Sequence, residues 1–318
     1  MAEELPFRTL RPHLLERFGR PVHRVALDAG SSCPNRDGTR GRGGCTYCDV
    51  EGSGTGALRS GLELAEQLER GIQRVRRRDA DAGVIAYLQS YSNTYVDLGR
   101  LDEVLAPLEA RLAPEGRGPV VCVSVATRPD TLPEGALERL VALARRVPVW
   151  VELGLEAADD RVLREINRLH TVDEFRSAAA RCRAAGLEVV GHAILGLPGD
   201  GRGGARRTAR VLAECGVAGV KVHNLMILRR TQLEHAWRRG EVAALALETY
   251  VDWLADFVER LAPEQVLHRL TGDAPEEQRL APRWGVHKNA VRERLAAELR
   301  VRGSRQGSRH GAGQNSAR

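Results

Sequence analysis

The sequence predicts an α/β protein folded as a partial (β/α)6, TIM-like barrel. Short apolar runs of strand length alternate with longer segments in which Leu, Ala, Glu and Arg recur at helical spacing. Several of the helix-like segments end in glycine just before the next apolar run, as at Gly186 and Gly216. Such alternation is typical of βαβ units, which build a parallel sheet. A doubly wound open sheet is the competing arrangement of the same units.

The predicted elements divide the chain into four segments. The strands are expected at 22–28, 83–89, 119–126, 148–156, 187–195 and 218–225. The helices between them are expected at 62–78, 98–113, 133–146, 159–185 and 201–215. The barrel core would then span 21–225, with helical extensions at 1–20 and 226–300. Residues 301–318 are rich in Gly, Ser, Arg and Gln and contain no acid, which predicts a disordered basic tail.

Charge and hydropathy indicate a protein without a membrane partner. The net charge of the 318 residues is +6, but residues 300–318 contain five arginines and no acid, so the remainder carries only +1. The basic tail would suit contact with nucleic acid, and a solvated end explains it as well. No apolar run approaches the roughly 18 residues of a membrane span. The start MAEELPF does not resemble a secretory signal, so a cytoplasmic protein is expected.

The six cysteines favour metal or redox chemistry over a disulfide framework. Cys33, Cys45 and Cys48 lie in a polar, glycine-rich segment directly after the first predicted strand. The other three lie in apolar or helix-like segments and are interpreted as small buried residues: Cys122, Cys182 and Cys215.

The spacing C-x11-C-x2-C suggests an iron–sulfur cluster with one open iron. A structural zinc site and an electron-transfer [4Fe–4S] cluster each take four protein ligands, and this loop offers three. Barrel enzymes carry their chemistry on loops after the strands, where this segment lies. The alternatives are a zinc site completed by His23 and three unliganded surface cysteines.

Two predicted strands carry charged residues on the face expected to line the barrel. Glu152 and Glu156 share one face of strand 148–156, and inward carboxylates are costly unless paired. They would meet a polar ligand near the end of the strand or, for Glu152, an ion pair with a neighbouring arginine. Lys221 and His223 share a face of the last strand and would suit an anionic substrate or a structural pair.

A series of motifs carries a family resemblance over about residues 7–300. They are CPNRDGTRGRGGCTYC (33–48), QSYSNTY (89–95), ATRPD (126–130), VELGLEAADDRVLREINRLH (151–170), HAILGLPGD (192–200), GVKVHNL (219–225) and HRLTGDAP (268–275). In these motifs the chain resembles the YhcC-like family of radical S-adenosylmethionine (SAM) proteins, which lies close to the Elongator catalytic subunit and to MiaB- and NifB-type enzymes. The resemblance implies a radical SAM barrel.

The resemblance also implies two cofactors and their contacts. A [4Fe–4S] cluster would be held by Cys33, Cys45 and Cys48, and SAM would chelate its fourth iron. Further cofactor-binding positions are implied for the adenine (Tyr47 and the 196–200 loop with Gly196 and Asp200), for the amino group (residues 89–93 with Gln89, Ser90 and Asn93), and for the ribose or amino acid portion (Glu152 and Glu156). Relatives usually have Gln at position 156 and Glu at position 200, so the SAM contacts of Glu156 and Asp200 depart from the family pattern.

The function implied is reductive cleavage of SAM to a 5′-deoxyadenosyl radical that abstracts hydrogen from an unknown substrate. No catalytic residue beyond the cluster ligands is indicated. An electron donor such as flavodoxin or ferredoxin is implied, and tRNA is a possible substrate by analogy with the Elongator subunit and MiaB. The alternatives are a small-molecule radical enzyme and a non-catalytic iron–sulfur or zinc-binding module.

Overall fold

The computed structural model describes residues 4–49, 57–58, 60–112 and 118–311. The strands are β1 Val22–Leu27, β2 Gly83–Leu88, β3 Val120–Thr127, β4 Val149–Glu156, β5 Glu188–Leu195, β6 Gly219–Asn224, β7 Ile227–Leu228, β8 Val266–Arg269 and β9 Arg279–Ala281. The helices are α1 Leu10–Phe18, α2 Leu64–Arg76, α3 Leu98–Glu109, α4 Glu134–Ala144, α5 Asp160–Glu165, α6 Val172–Ala184, α7 Gly201–Glu214, α8 Gln232–Arg238, α9 Leu247–Val258 and α10 Lys288–Val301.

The main sheet is a curled, parallel half-barrel, as predicted. Its strands follow one another in the order β1-β2-β3-β4-β5-β6-β8, and each pair is parallel. A doubly wound sheet would reverse direction at a switch point, and this order does not. Strands β2, β3 and β4 are buried along their whole length, which explains their nearly continuous apolar sequences.

The region 226–300 is not only helical, as expected, but supplies the seventh strand. Strand β8 pairs with β6, and β7 pairs with β9 in a separate antiparallel ribbon. Only the first two residues of β8, Val266 and Leu267, are apolar and buried. A four-residue strand with one apolar half carries too little periodicity to be recognised from sequence.

The helix predicted over 159–185 is in fact two helices, α5 and α6. Between them Asn167 and Leu169 have φ of 54° and 64°, a left-handed conformation that interrupts the helix. Thr171 then starts α6 in a capping box with Glu174. The interruption positions a segment that contacts the cysteine loop, described below.

Two clusters of buried apolar side chains pack against the two faces of the main sheet. The larger one fills the space between the outer face of the sheet and the helices. A smaller one fills the barrel interior at the N-terminal ends of the strands, where Leu14 of α1 packs on Ile85, Cys122, Trp150 and Val190. Helix α1 therefore closes this end of the barrel.

The tail predicted to be disordered over 301–318 is ordered over its described part, 301–311. The Gln306 side chain accepts a hydrogen bond from Arg8 N (3.0 Å) and donates to the carbonyls of Ala262 (2.8 Å) and Gln265 (2.7 Å). Arg309 pairs with Glu259 of the segment after α9 at 2.9 Å. The basic residues thus meet acidic partners that composition alone does not reveal. Residues 312–318 lie outside the described residues.

In the described part of the chain, no helix has the length and apolar character needed to cross a bilayer.

Candidate active site

The cysteine loop follows the C-terminal end of β1. Cys33 and Cys45 are buried and Cys48 is half-buried. Two tight turns shape the loop, since Arg36 N donates to the Cys33 carbonyl (2.8 Å) and Cys48 N donates to the Cys45 carbonyl (3.0 Å). The loop therefore brings its three thiols to the barrel edge where enzymes of this architecture act.

Polar groups of the chain surround the sulfur atoms. The Arg36 Nη2 atom lies 3.5 Å from Cys48 Sγ, and the Asn35 Nδ2 and Arg168 Nη1 atoms lie 3.7 and 4.0 Å from Cys45 Sγ. Burial, and then the neighbouring Cys45, raises the pKa of Cys48 to about 12. A metal must therefore displace a proton from this thiol, as is usual for thiolate ligands.

The donor set fits an iron–sulfur cluster. Three thiols lie on one loop, and two arginines stand where they would offset the negative charge of thiolate ligands. In the described residues no three His, Cys, Asp or Glu side chains are grouped so as to hold a single metal ion. His23, the expected fourth ligand of a zinc site, is the second residue of β1. It lies about 13 Å along the strand from the end that leads into the cysteine loop.

The segment between α5 and α6 holds the cysteine loop in place. Thr46 N donates to the Ile166 carbonyl (2.9 Å), and Asn167 Nδ2 donates to the Gly44 carbonyl (2.7 Å). In return, Asn35 Nδ2 donates to the Asn167 carbonyl (2.5 Å). These contacts join residues about 120 positions apart and fix the loop against the rest of the barrel.

Glu156 lies beside this loop at the end of β4. A bulge in β4 gives it φ of 66°, and its carboxylate lies 3.3 Å from Arg168 Nη2. A Cβ atom at Gly154 would lie 2.3 Å from Glu156 Oε1, so only glycine leaves room for this pair. Burial, followed by the charge of Glu156, raises the pKa of the Tyr47 hydroxyl well above its usual range. Tyr47, Glu156 and Arg168 thus form one group next to Cys45.

The loop after β2 is organised by Asn93. Its Nδ2 atom donates to the carbonyls of Leu88, Ser90 and Ala126, and its Oδ1 atom accepts from Ser31 Oγ (3.0 Å). These bonds join the ends of β2 and β3 to the segment that precedes Cys33. The side chain of Asn93 is therefore fully used within the protein.

Glu152 forms the centre of a buried polar cluster inside the barrel. Its Oε1 atom accepts from Ser124 Oγ (2.6 Å), and its Oε2 atom contacts His192 Nε2 (2.7 Å) and Lys221 Nζ. Burial opposes the ionisation of Glu152, but the charge of Lys221 and the His192 hydrogen bond outweigh it and hold the pKa well below its usual range. Burial lowers the pKa of Lys221 to about 7. The expected ion pair of Glu152 is present, with lysine in place of the expected arginine.

His223, predicted to share a face with Lys221, lies in the same interior. Its ring centroid is 5.7 Å from that of His192, and its Nε2 atom is buried without a hydrogen-bond partner among the described residues. Burial, together with the charge of Arg269, lowers the pKa of His223 well below its usual range.

Comparison with known proteins decides the family. The family model described as the Radical SAM superfamily matches residues 36–231, and the model described as the Radical_SAM C-terminal domain matches residues 217–300. The chain belongs to the radical SAM superfamily. It is a radical SAM enzyme, and the cofactors of this superfamily are a [4Fe–4S] cluster and SAM.

Two relatives match this radical SAM enzyme along most of their length. The Bacillus subtilis protein YtqA is 38% identical over 304 residues, which are 96% of this chain and 92% of YtqA. The Escherichia coli protein YhcC is 35% identical over 272 residues, which are 85% of each chain. The YhcC-like resemblance of the motifs is therefore confirmed.

More distant matches share part of the enzyme. The tRNA uridine(34) acetyltransferase of Dehalococcoides mccartyi is 27% identical over 159 residues, 49% of this chain and 34% of that protein. The structure of archaeal Methanocaldococcus infernus Elp3 with an N-terminal deletion superposes with a TM-score of 0.70 at 17% identity. That match covers 90% of this chain and 64% of the Elp3 chain, and at this identity it shows a shared fold alone.

Most of the positions implied for SAM lie on loops that follow the C-terminal ends of strands, but the side chain of Asp200 is turned to another partner. Gln89 lines the interior cavity, and Ser90 Oγ is buried without a hydrogen-bond partner among the described residues. Gly196 has φ of 94°, and the adjacent Leu197 belongs to the apolar cluster that packs on Tyr47. Asp200 instead faces Arg207, whose Nη2 atom lies 3.5 Å from Asp200 Oδ1 between α5 and α7.

Sequence reasoning missed Asn35, Arg36, Asn167 and Arg168. All four lie within the quoted motifs 33–48 and 151–170, so the signal was the motif itself. Arginine and asparagine are mostly exposed in proteins, so their residue type gave no separate signal. Here Asn35, Arg36 and Arg168 contact the sulfur atoms, and Asn167 donates to carbonyls of the cysteine loop.

Asp200 gives a pH-dependent prediction. Burial raises its pKa to about 6, so the native state binds a proton more readily than the unfolded chain does. The stability that this provides is present below the unfolded pKa near 3.8 and is lost as the pH rises through 6. We expect Asp200→Asn to unfold with up to about 3 kcal/mol more free energy than the natural protein at pH 8, and with equal free energy near pH 4.

Urea denaturation at both pH values measures this difference. The exposed Asp81→Asn is the matched control and should change stability by less than about 0.5 kcal/mol at either pH. A loss of stability in Asp200→Asn at pH 8 would show that the ion pair of Asp200 with Arg207 outweighs the cost of burying the ionised carboxylate.

Proposed function

We propose that this chain cleaves SAM reductively and uses the resulting radical on a substrate bound inside the barrel. The observation that carries the proposal is the arrangement of three thiols on one loop beside Arg36 and Arg168, in a chain of the radical SAM superfamily. Cys33, Cys45 and Cys48 would hold the cluster. When bound, the cluster and SAM supply a 5′-deoxyadenosyl radical that abstracts hydrogen from an unactivated carbon.

The residues of the chain would orient SAM and exclude water. Arg36 and Arg168 would offset the charge of the thiolates, and Asn35 would donate to Cys45. Ser90 offers an unused hydroxyl at the end of β2, where the amino acid portion of SAM is expected. The apolar cluster around Tyr47, which includes Leu197 and Leu225, would bind the adenine. Glu152 would act through the interior cluster and not by direct contact, since both of its oxygens are engaged.

We further propose tRNA as the substrate and flavodoxin or ferredoxin as the electron donor, within the cytoplasm. The tRNA proposal is supported by the matched relative named for tRNA uridine(34), which shares half of this chain. The shared part is only a third of that relative, so this support concerns the barrel and not the acetyltransferase activity.

Anaerobic reconstitution with iron and sulfide tests the proposal. We expect about four irons per chain. After reduction in the presence of SAM, we expect formation of 5′-deoxyadenosine and methionine. Unmodified tRNA at low salt should increase this rate, and the increase should fall steeply as salt is raised. A protein that retains zinc without iron, or a cluster that never cleaves SAM, would favour a binding module.

A further inference from the structure

A cavity of about 960 Å³ opens on the side of the barrel between its two edge strands, β1 and β8. Neither strand has a second strand of the sheet beside it among the described residues, although an isolated bridge joins Leu267 of β8 to Thr9, and the cavity lies in the gap between the two strands. Helices α1 and α10 and the loops after β8 form its outer wall. Its inner wall includes Tyr87 of β2 and Gln89, so it reaches from the side opening to the end of the barrel that carries the cysteine loop.

The lining of this cavity is strongly basic. Its described residues include six arginine and lysine side chains and only two carboxylates, Asp273 and Glu276. Within the described part of the chain, none of the six forms an ion pair with a carboxylate. This is unusual here, because arginines elsewhere in the structure are commonly paired, as Arg302 is with Asp252 and Asp256.

Arg24 and Arg269 are the two cations placed deepest, one on each edge strand. The Arg24 Nη2 atom lies 3.5 Å from the His268 carbonyl, so Arg24 spans the gap from β1 to β8. Its guanidinium carbon lies 5.8 Å from the centroid of the Tyr87 ring. Burial and the charge of Arg24 lower the pKa of Arg269, so the two guanidinium groups destabilise each other. Two half-buried cations without an acidic partner are stabilised when an anion binds between them.

We propose that Arg24 and Arg269 bind a phosphate group of the substrate in this cavity. The proposal rests on the proposed function, and it names the chemistry that recognises the substrate. Phosphate presents several acceptor oxygens to two guanidinium forks and carries up to two negative charges, whereas a single carboxylate offers two oxygens and one charge. Lys221 does not contribute, because Glu152 already pairs with it.

The position of Arg24 along β1 determines how the rest of the substrate would lie in the barrel. Arg24 lies three residues before the end of β1 at Leu27, which is about 10 Å along the strand. A phosphate on Arg24 and Arg269 would leave the rest of the substrate extending along the interior past Tyr87 toward Gln89. The phosphate belongs either to a small phosphorylated metabolite or to the backbone or terminus of tRNA.

Binding measurements on the purified protein in phosphate-free buffer test the proposal. The probes are inorganic phosphate and unmodified tRNA at one fixed salt concentration, and the variants are Arg24→Gln, Arg269→Gln and the double variant. The control is Arg74→Gln, which removes the same charge from an exposed position on α2. We expect phosphate to bind the natural protein and to bind each single variant at least about tenfold more weakly than the control. Arg24→Lys keeps the charge and replaces Arg24→Gln as the test variant if the glutamine variant does not fold. We expect Arg24→Lys to bind phosphate more tightly than Arg269→Gln.

The two probes separate the sources of the phosphate. If tRNA binding is weakened in Arg24→Gln and Arg269→Gln as phosphate binding is, the cavity takes a phosphate of RNA. If only phosphate binding is weakened, it takes a small phosphorylated compound. Absence of phosphate binding in the natural protein, or equal binding in Arg269→Gln and Arg74→Gln, overturns the proposal. Formation of 5′-deoxyadenosine by the natural protein tests the proposed function separately and does not depend on this result.

Discussion

Replacement of Cys45 by alanine is expected to remove the cluster and to lower SAM cleavage by at least about a hundredfold. Changes to groups that merely support a metal ligand already cost 10–100-fold in affinity or activity, so loss of a ligand should cost more. Cys45 is also the thiol contacted by both Asn35 and Arg168, which places it at the centre of the supported loop. Iron and sulfide per chain after anaerobic reconstitution, together with 5′-deoxyadenosine formation, measure the effect.

The matched control is Cys215→Ala. Cys215 is a half-buried cysteine at the C-terminal end of α7, outside the cysteine loop. This variant should keep its iron and its SAM cleavage. Retention of a full complement of iron by Cys45→Ala would show that Cys45 is not a ligand of the cluster.

Replacement of Lys221 by methionine is expected to destabilise the protein by about 3–5 kcal/mol, because it leaves Glu152 buried without its cation. For a chain of this length this corresponds to a fall of roughly 5–8 °C in Tm. In the natural protein Glu152 contributes stability above its unfolded pKa near 4.5, which is lost only as the pH falls through its lowered native pKa. Without the charge of Lys221, less opposes the effect of burial, and the pKa of Glu152 rises in the variant. The loss of stability in Lys221→Met should therefore be larger at pH 7 than at pH 5.

Two further variants make this prediction specific. The double variant Glu152→Gln/Lys221→Met should recover much of the loss, since it removes both charges. Arg70→Met breaks an exposed helical pair with Glu66 and should cost less than about 1 kcal/mol. If Lys221→Met and Arg70→Met have equal effects in thermal unfolding, the interior pair is not a buried ion pair in solution.

The parallel half-barrel could be predicted because its strands and helices have strong local patterns. Strands β2 to β6 are mostly apolar, and each of β2 to β5 is followed by a helix. The short strand β8 could not be predicted, because its second half, His268 and Arg269, faces a polar cavity and breaks the apolar pattern. The split between α5 and α6 had a readable signal in the capping box of Thr171 and Glu174, which a helix prediction over 159–185 overlooked.

The cysteine loop could be identified from sequence, whereas its surroundings could not. The three cysteines lie close together in the chain, and their number predicts an iron–sulfur cluster with one open iron. The support from Asn167 and Arg168 depends on contacts across more than a hundred residues, which no local pattern contains. The pairing of Glu152 with Lys221 likewise depends on which strands face each other across the barrel. Their common inward direction could be predicted, but not their contact.

The consecutive order of the strands also affects how the protein is made. Because each of the first five strands pairs with the next along the chain, the sheet can grow one strand at a time as the chain leaves the ribosome. The cysteine loop is complete at residue 48, yet Asn167, which fixes it through Gly44, follows 123 residues after that glycine. The contact of Arg24 with His268 spans 244 residues. A cluster delivered to this chain during synthesis would therefore meet an unsupported loop until half of the chain has emerged, and the basic cavity forms only after nearly all of it has.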